Sequence, residues 1–120
     1  MKNLVADLSY CEQFEKLNIK FKTVFYWTDE DIVLMPETVY DRKWKVTTTK
    51  GLYKNAKYIP APTASEIMEM LKSANADIIY HIDTLKFGLE ILDGKFFSDE
   101  IEADARAKCL IYLKKEKLIN

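Results

Sequence analysis

The run Ile59-Pro60-Ala61-Pro62-Thr63-Ala64-Ser65-Glu66 constrains the fold more than any other part of the chain. A residue that precedes proline is pushed out of the helical region, so the chain must reach Pro62 extended. Thr63 can then accept from the N–H of Glu66 while the Glu66 carboxylate accepts from the N–H of Thr63. This capping box starts a helix at a defined residue. Ile67, Met70, Leu71 and Ala74 follow on one face, with Glu69 and Lys72 outside. A helix is thus fixed in mid-chain, and the segments on both sides of it have strand character.

Upstream, Leu8, Cys11, Phe14 and Leu17 recur at helical spacing, with Asp7 as N-cap and Asn18 at the left-handed position beyond the end. The segment Phe21 to Trp27 alternates Phe21, Thr23, Phe25 and Trp27 against Lys22, Val24 and Tyr26, which predicts a strand. Thr28-Asp29-Glu30-Asp31 reads as a turn into Ile32-Val33-Leu34-Met35, so these two strands are expected to form a hairpin. Trp44, Val46 and Thr48 alternate with Lys43, Lys45 and Thr47 as a third strand.

Downstream, Ile78, Tyr80 and Ile82 alternate with Ile79, His81 and Asp83, and Phe87, Leu89 and Ile91 with Lys86, Gly88 and Glu90. These runs should pair antiparallel, with a turn at Asp93-Gly94. The last helix is predicted from Asp99 to Lys117, capped by Ser98. Its first turns are acidic and its last basic, as the helix dipole favours, and Ile101, Ala105, Cys109, Tyr112 and Leu113 form its stripe. The expected order is α-β-β-β-α-β-β-α, an α+β fold with an antiparallel sheet of four to five strands and three helices, in one domain over residues 1–120.

Eighteen basic and nineteen acidic side chains leave a net charge of -1, so no global field draws the molecule to nucleic acid or to an anionic membrane. No run approaches the ~20 apolar residues of a membrane span. Two cysteines and one histidine do not make a zinc site, and Cys11 and Cys109 read as small buried residues of a reducing compartment, the cytoplasm. The three glycines are isolated, so no phosphate-cradling loop exists. His81 reads as a half-exposed strand residue rather than a base. The clusters Asp29-Glu30-Asp31 and Asp99, Glu100, Glu102, Asp104 read as a turn and as helix polarity. No cofactor, no metal and no catalytic residue is expected.

One stretch is chemically asymmetric. Between Tyr40 and Tyr58, Arg42, Lys43, Lys45, Lys50, Lys54 and Lys57 face the single acid Asp41, and Trp44 and Tyr53 are interleaved with them. Basic groups neutralise acidic partners or phosphates and aromatic faces stack. The candidate contact residues are therefore Arg42, Lys43, Trp44, Lys45, Lys50, Tyr53 and Lys54. A strand with a lysine-rich outer face is equally a guard against edge aggregation. The apolar residues on both faces of Phe21–Trp27 also ask for a cover, which the last helix or a second copy of the chain would supply.

Several local patterns coincide in order: the aromatic strand Val24-Phe25-Tyr26-Trp27 after a terminal helix, Pro60-Ala61-Pro62-Thr63 opening a capped helix, and an acidic-to-basic helix ending in Leu118-Ile119. In these the chain resembles a group of small phage and prophage proteins of uncharacterised function. Where that group carries glycine after the first helix, Asn18 stands here. The resemblance implies a phage origin and action in the bacterial cytoplasm, and it brings no catalytic residues. The expected function is that of a non-enzymatic accessory protein that binds a phage or host protein, such as a defence component. The alternative is a nucleic-acid-binding accessory protein that uses residues 40–58.

Overall fold

The computed structural model describes residues 4–29, 32–34, 39–41, 44–48, 56–74, 76–82, 86–91 and 94–119. Their elements are α1 (Leu8–Lys16), β1 (Tyr26–Thr28), β2 (Ile32–Leu34), β3 (Val39–Asp41), β4 (Lys45–Thr47), β5 (Tyr58–Pro60), α2 (Ala64–Ser73), β6 (Ile78–Ile82), β7 (Phe87–Ile91), β8 (Phe96–Asp99) and α3 (Glu102–Lys115). The fold is α+β with three helices and antiparallel pairing, as expected. The strands are distributed differently: instead of one sheet of four to five strands, the described residues form the sheets β4-β1-β5 and β6-β7-β8 and a β2-β3 ribbon.

Local signals hold where they were strongest. The Thr63 hydroxyl accepts from Glu66 N at 3.2 Å, and Glu66 Oε1 accepts from Thr63 N at 2.8 Å. Thr23 adds a third anchor, its hydroxyl donating to the same Glu66 oxygen at 2.8 Å. Asp7 caps α1 through Ser9 N, and Asn18 adopts φ 59 just past the helix.

Long-range pairing departs from the expectation. β1 does not form a hairpin with β2; it is the central strand between β4 and β5, with Trp27 opposite Val46 and Ile59. β2 instead pairs with the nearer β3, Val33 opposite Tyr40. Of the predicted 21–27 strand only Tyr26 and Trp27 are laddered, and the ladder runs on into Thr28, which was expected in a turn, although the sidedness holds. Phe21, Thr23 and Phe25 are half-buried while Lys22 and Val24 face solvent.

Ser98 and Asp99 do not open the last helix but end a strand that the sequence reading missed, β8, antiparallel to β7 with Leu89 opposite Phe97. Gly94, at φ 88, turns the chain between them. The Asp99 carboxylate accepts from Ile101 N at 3.0 Å, and α3 starts one residue later with no side-chain cap.

One hydrophobic cluster joins the layers. It contains Cys11 and Phe14 of α1, Trp27 of β1, Ile59 of β5, Ile67 and Leu71 of α2, Leu89 and Ile91 of β7 and Phe97 of β8. α3 runs through its middle, packing against α2, α1, β7 and β8, so it is buried almost all round rather than along one stripe. Ala103, Ala105 and Ala107 let these neighbours approach closely. The Trp27 indole N–H donates to the Ala6 carbonyl at 2.9 Å, which ties the N-terminal segment to the first sheet. None of the described helices is long and apolar enough to cross a membrane.

Candidate interaction surface

Alternation along β6, β7 and β8 gives that sheet two unlike faces. Leu89 and Phe97, opposite Tyr80, are buried on the side that carries α3. The next positions face outward: Ile79, Glu90 and Phe96 in one cross-strand row, His81, Gly88 and Ser98 in the row beside it. Ile79 is 58% exposed and Phe96 52%, an unusual use of two large apolar side chains on a wet face. A Cβ on Gly88 would lie 2.4 Å from the Phe96 ring, so the ring occupies the space that a side chain would fill. The same ring meets His81 edge-on, centroids 5.4 Å apart, and His81 Nε2–H donates to Glu90 Oε1 at 3.2 Å. The result is a flat apolar patch with one polar pair beside it.

Of the contact residues expected from sequence, Arg42, Lys43, Lys50, Tyr53 and Lys54 lie outside the described residues. Trp44 packs against the hydrophobic cluster, so part of its indole is committed to burial. Lys45 is a half-buried member of β4, opposite Thr28. The outer-face residues Ile79 and Phe96 were not singled out in the sequence. The signal was present, because Ile79 and Gly88 occupy positions of the alternating pattern where polar side chains belong.

His81 has the carboxylate neighbour that an acid–base role needs, but both groups sit on an open sheet face. Three open clefts of about 400–450 Å³ lie elsewhere, along α1, α2 and β5 around Lys20, Phe21 and Lys57, and His81 lines none of the three. In the first acidic cluster, Asp29 accepts from Lys57 N at 2.7 Å, and Glu30 and Asp31 lie outside the described residues.

The second acidic cluster is more than helix polarity. Asp104 is buried, and its Oδ1 accepts from Asp7 N at 2.7 Å, joining the starts of α1 and α3. Asp99 Oδ2 pairs with Lys108 Nζ at 2.9 Å, and the same ammonium donates to the Ser98 carbonyl at 2.8 Å. Burial pushes the Asp104 carboxyl above its ordinary range, only partly offset by the Asp7 N–H. These carboxylates already have partners within the fold.

Both cysteines are fully buried free thiols, and burial pushes each up to about 12. The thiolate is the reactive form, so neither is available to a reagent in the folded protein. A maleimide or disulfide reagent should therefore leave native protein unlabelled and modify both positions once denaturant unfolds it. Rapid labelling of Cys11 or Cys109 without denaturant would contradict their placement.

Comparison of the chain with protein-family models, with curated proteins and with solved structures gives no match.

Proposed function

We propose that this chain is a small phage-encoded accessory protein that acts in the bacterial cytoplasm by binding another protein, of the phage or of its host, and that it catalyses no reaction. The observation that carries this reading is the outer face of β6–β8, where Ile79 and Phe96 stand exposed around the His81–Glu90 pair. An apolar centre bordered by a few polar groups is the composition of a protein contact. The reading is also supported by how the candidate reactive groups are used. The thiols are buried, and Asp104 and Asp99 are held by Asp7 N–H and Lys108. The phage assignment rests on the sequence resemblance carried by Val24–Trp27 and Pro60–Thr63. A host-defence component is the partner class such an accessory protein would meet.

The test is affinity capture from the native host with three baits: wild type, Phe96→Ser, and Arg42→Ala combined with Lys43→Ala and Lys45→Ala. Trp44 is left intact because its loss would damage the core rather than report on a surface. Capture should be lost with Phe96→Ser and should persist as salt is raised. If the basic triple variant alone loses its partner, the contact lies in residues 40–58 instead. Binding that collapses with modest salt, and that nuclease abolishes, would replace this reading with a nucleic-acid one.

A further inference from the structure

Strand register decides what a partner on the outer face of β6–β8 has to cover. Ile79 and Phe96, the two exposed apolar side chains of that face, are not neighbours, because Glu90 lies opposite both on the strand between them. Glu90 is bonded to His81 at 3.2 Å, and the pair is still partly wet, with 47% of the histidine side chain and 39% of the glutamate exposed. His81 in turn lies opposite Gly88, whose missing Cβ makes room for the Phe96 ring, and that ring meets the imidazole edge-on. A surface that reaches from Ile79 to Phe96 therefore takes Glu90 and His81 out of water together. Among the described residues His81 is the one ion-pair partner of Glu90. β8 brings only Phe96 and Ser98 to this face, and the exposed charges Asp77, Lys86 and Glu100 stand just outside β6, β7 and β8 without a bond to the pair. Asp83, two residues beyond His81, lies outside the described residues. On the opposite side of the sheet the cations are engaged: Arg106 with Glu102 and the Ala64 carbonyl, Lys108 with Asp99 and the Ser98 carbonyl, and Lys95 over the Tyr112 ring.

We infer that binding at this face is coupled to the uptake of one proton by the His81–Glu90 pair, so that the partner is held more tightly as pH falls. The inference rests on the contact proposed above and adds a regulation to it, one that the register imposes on any apolar surface spanning Ile79 and Phe96. Histidine is the side chain that changes charge between about pH 5 and 8. Toward the upper end of that range, an uncharged imidazole beside an ionised carboxylate leaves the pair with a net negative charge. Water solvates that charge while the face is open. Under an apolar cover the water is gone, and a carboxylate with only a neutral partner is costly to bury. One added proton makes the pair neutral overall, either as imidazolium with carboxylate or as imidazole with carboxylic acid. The two groups titrate as a unit, and both arrangements count the same proton. Covering the face thus favours the protonated pair, and by reciprocity protonation favours the cover.

The test uses the protein that wild type captures and Phe96→Ser does not, purified and titrated against the full chain by calorimetry between about pH 6 and 8. Two buffers of different ionisation enthalpy count the protons taken up. Affinity should rise severalfold, and by no more than about tenfold, for each unit of falling pH, with uptake approaching one proton toward the alkaline end. Glu90→Gln, at a half-buried position of the open face, removes the charge that the proton neutralises. Burial then disfavours the imidazolium alone, so in this variant the dependence should reverse and binding should tighten as pH rises. Affinity that does not change with pH, while the need for Phe96 persists, overturns the coupling and leaves the contact standing. A dependence that Glu90→Gln leaves as in wild type overturns it too, because the proton is then taken up elsewhere. If no captured protein depends on Phe96, the contact itself falls and the coupling falls with it.

Discussion

Replacing Phe14 by alanine should lower the unfolding free energy by about 3–5 kcal/mol, seen as a lower denaturant midpoint at an unchanged slope. α1 has only nine residues, too short to hold a helix in water on its own. Asp7 and Asn18 fix where it begins and ends, but tertiary burial must keep it helical. That burial comes chiefly from Cys11 and Phe14, the two buried side chains of the helix. Phe14 is the larger, and its ring meets Phe21 edge-on with centroids 5.0 Å apart. Truncation would leave a cavity that neighbours on α3 cannot fill, since α3 is clamped on its other sides by α2, β7 and β8. Against a total stability of about 5–15 kcal/mol for such a domain, the loss is severe. Leu8→Ala and Leu17→Ala, at half-buried positions of the same helix, should each cost clearly less. A Phe14→Ala protein as stable as wild type would mean that α1 is not docked as described.

How much of this was legible from sequence follows the range of the forces involved. The α2 capping box and the Asn18 turn involve atoms within a few residues, and the sequence reading finds them at the right positions. The β6–β7 hairpin is nearly as local, and its alternation carried over into the observed register. β1 failed because its partners were not its sequence neighbours. Trp27 needs a central position to bury its ring and reach the Ala6 carbonyl, and no local pattern reveals that β4 and β5 will flank it. β8 failed for a different reason. A serine followed by acidic residues has the composition of a helix start, yet here Asp99 turns back to bond Ile101 N and the preceding Phe96-Phe97 pair strand-wise. Periodicity found α3 and one stripe of it, but a helix covered on several sides buries Ala103, Asp104, Ala107, Leu110 and Ile111 as well, which no single stripe displays.

The candidate site divides in the same way. The exposure of His81 followed from alternation alone. The patch around it depends on Phe96, which the β8 pairing brings over Gly88 from a strand that the sequence did not announce. Of the basic-aromatic stretch, Trp44 shows the ambiguity of composition: an aromatic residue among lysines can serve a contact or the core, and this one packs on the core.

Asp104 and Asp99 should respond to pH in opposite directions. They lie on either side of the α3 start, and their settings differ. Burial raises the Asp104 carboxyl, so folding penalises its ionised form, and the Asp7 N–H offsets this only in part. That penalty is absent below the unfolded-state value of about 3.9 and complete above the raised folded value. Asp104 therefore contributes stability in acid that is lost as pH rises through that window. Asp104→Asn keeps an oxygen for the Asp7 N–H and removes the penalty, so relative to wild type it should gain stability as pH rises. Asp104→Ala should instead cost about 1–3 kcal/mol in acid, because it leaves the Asp7 N–H unanswered, and less as pH rises, since it removes the same penalty. For Asp99, burial pushes upward too, but the Ile101 N–H and the Lys108 ammonium together outweigh it and hold the carboxyl below its ordinary value. Its contribution is complete above about pH 3.9 and is lost as pH falls through the lower folded value. Asp99→Asn should thus cost about 1 kcal/mol at neutral pH, the pair being partly solvated, and approach wild type in strong acid. Urea unfolding of the variants between acid and neutral pH reads both slopes directly. Parallel curves for Asp104→Asn and Asp99→Asn would show that the two carboxylates are not held as described here.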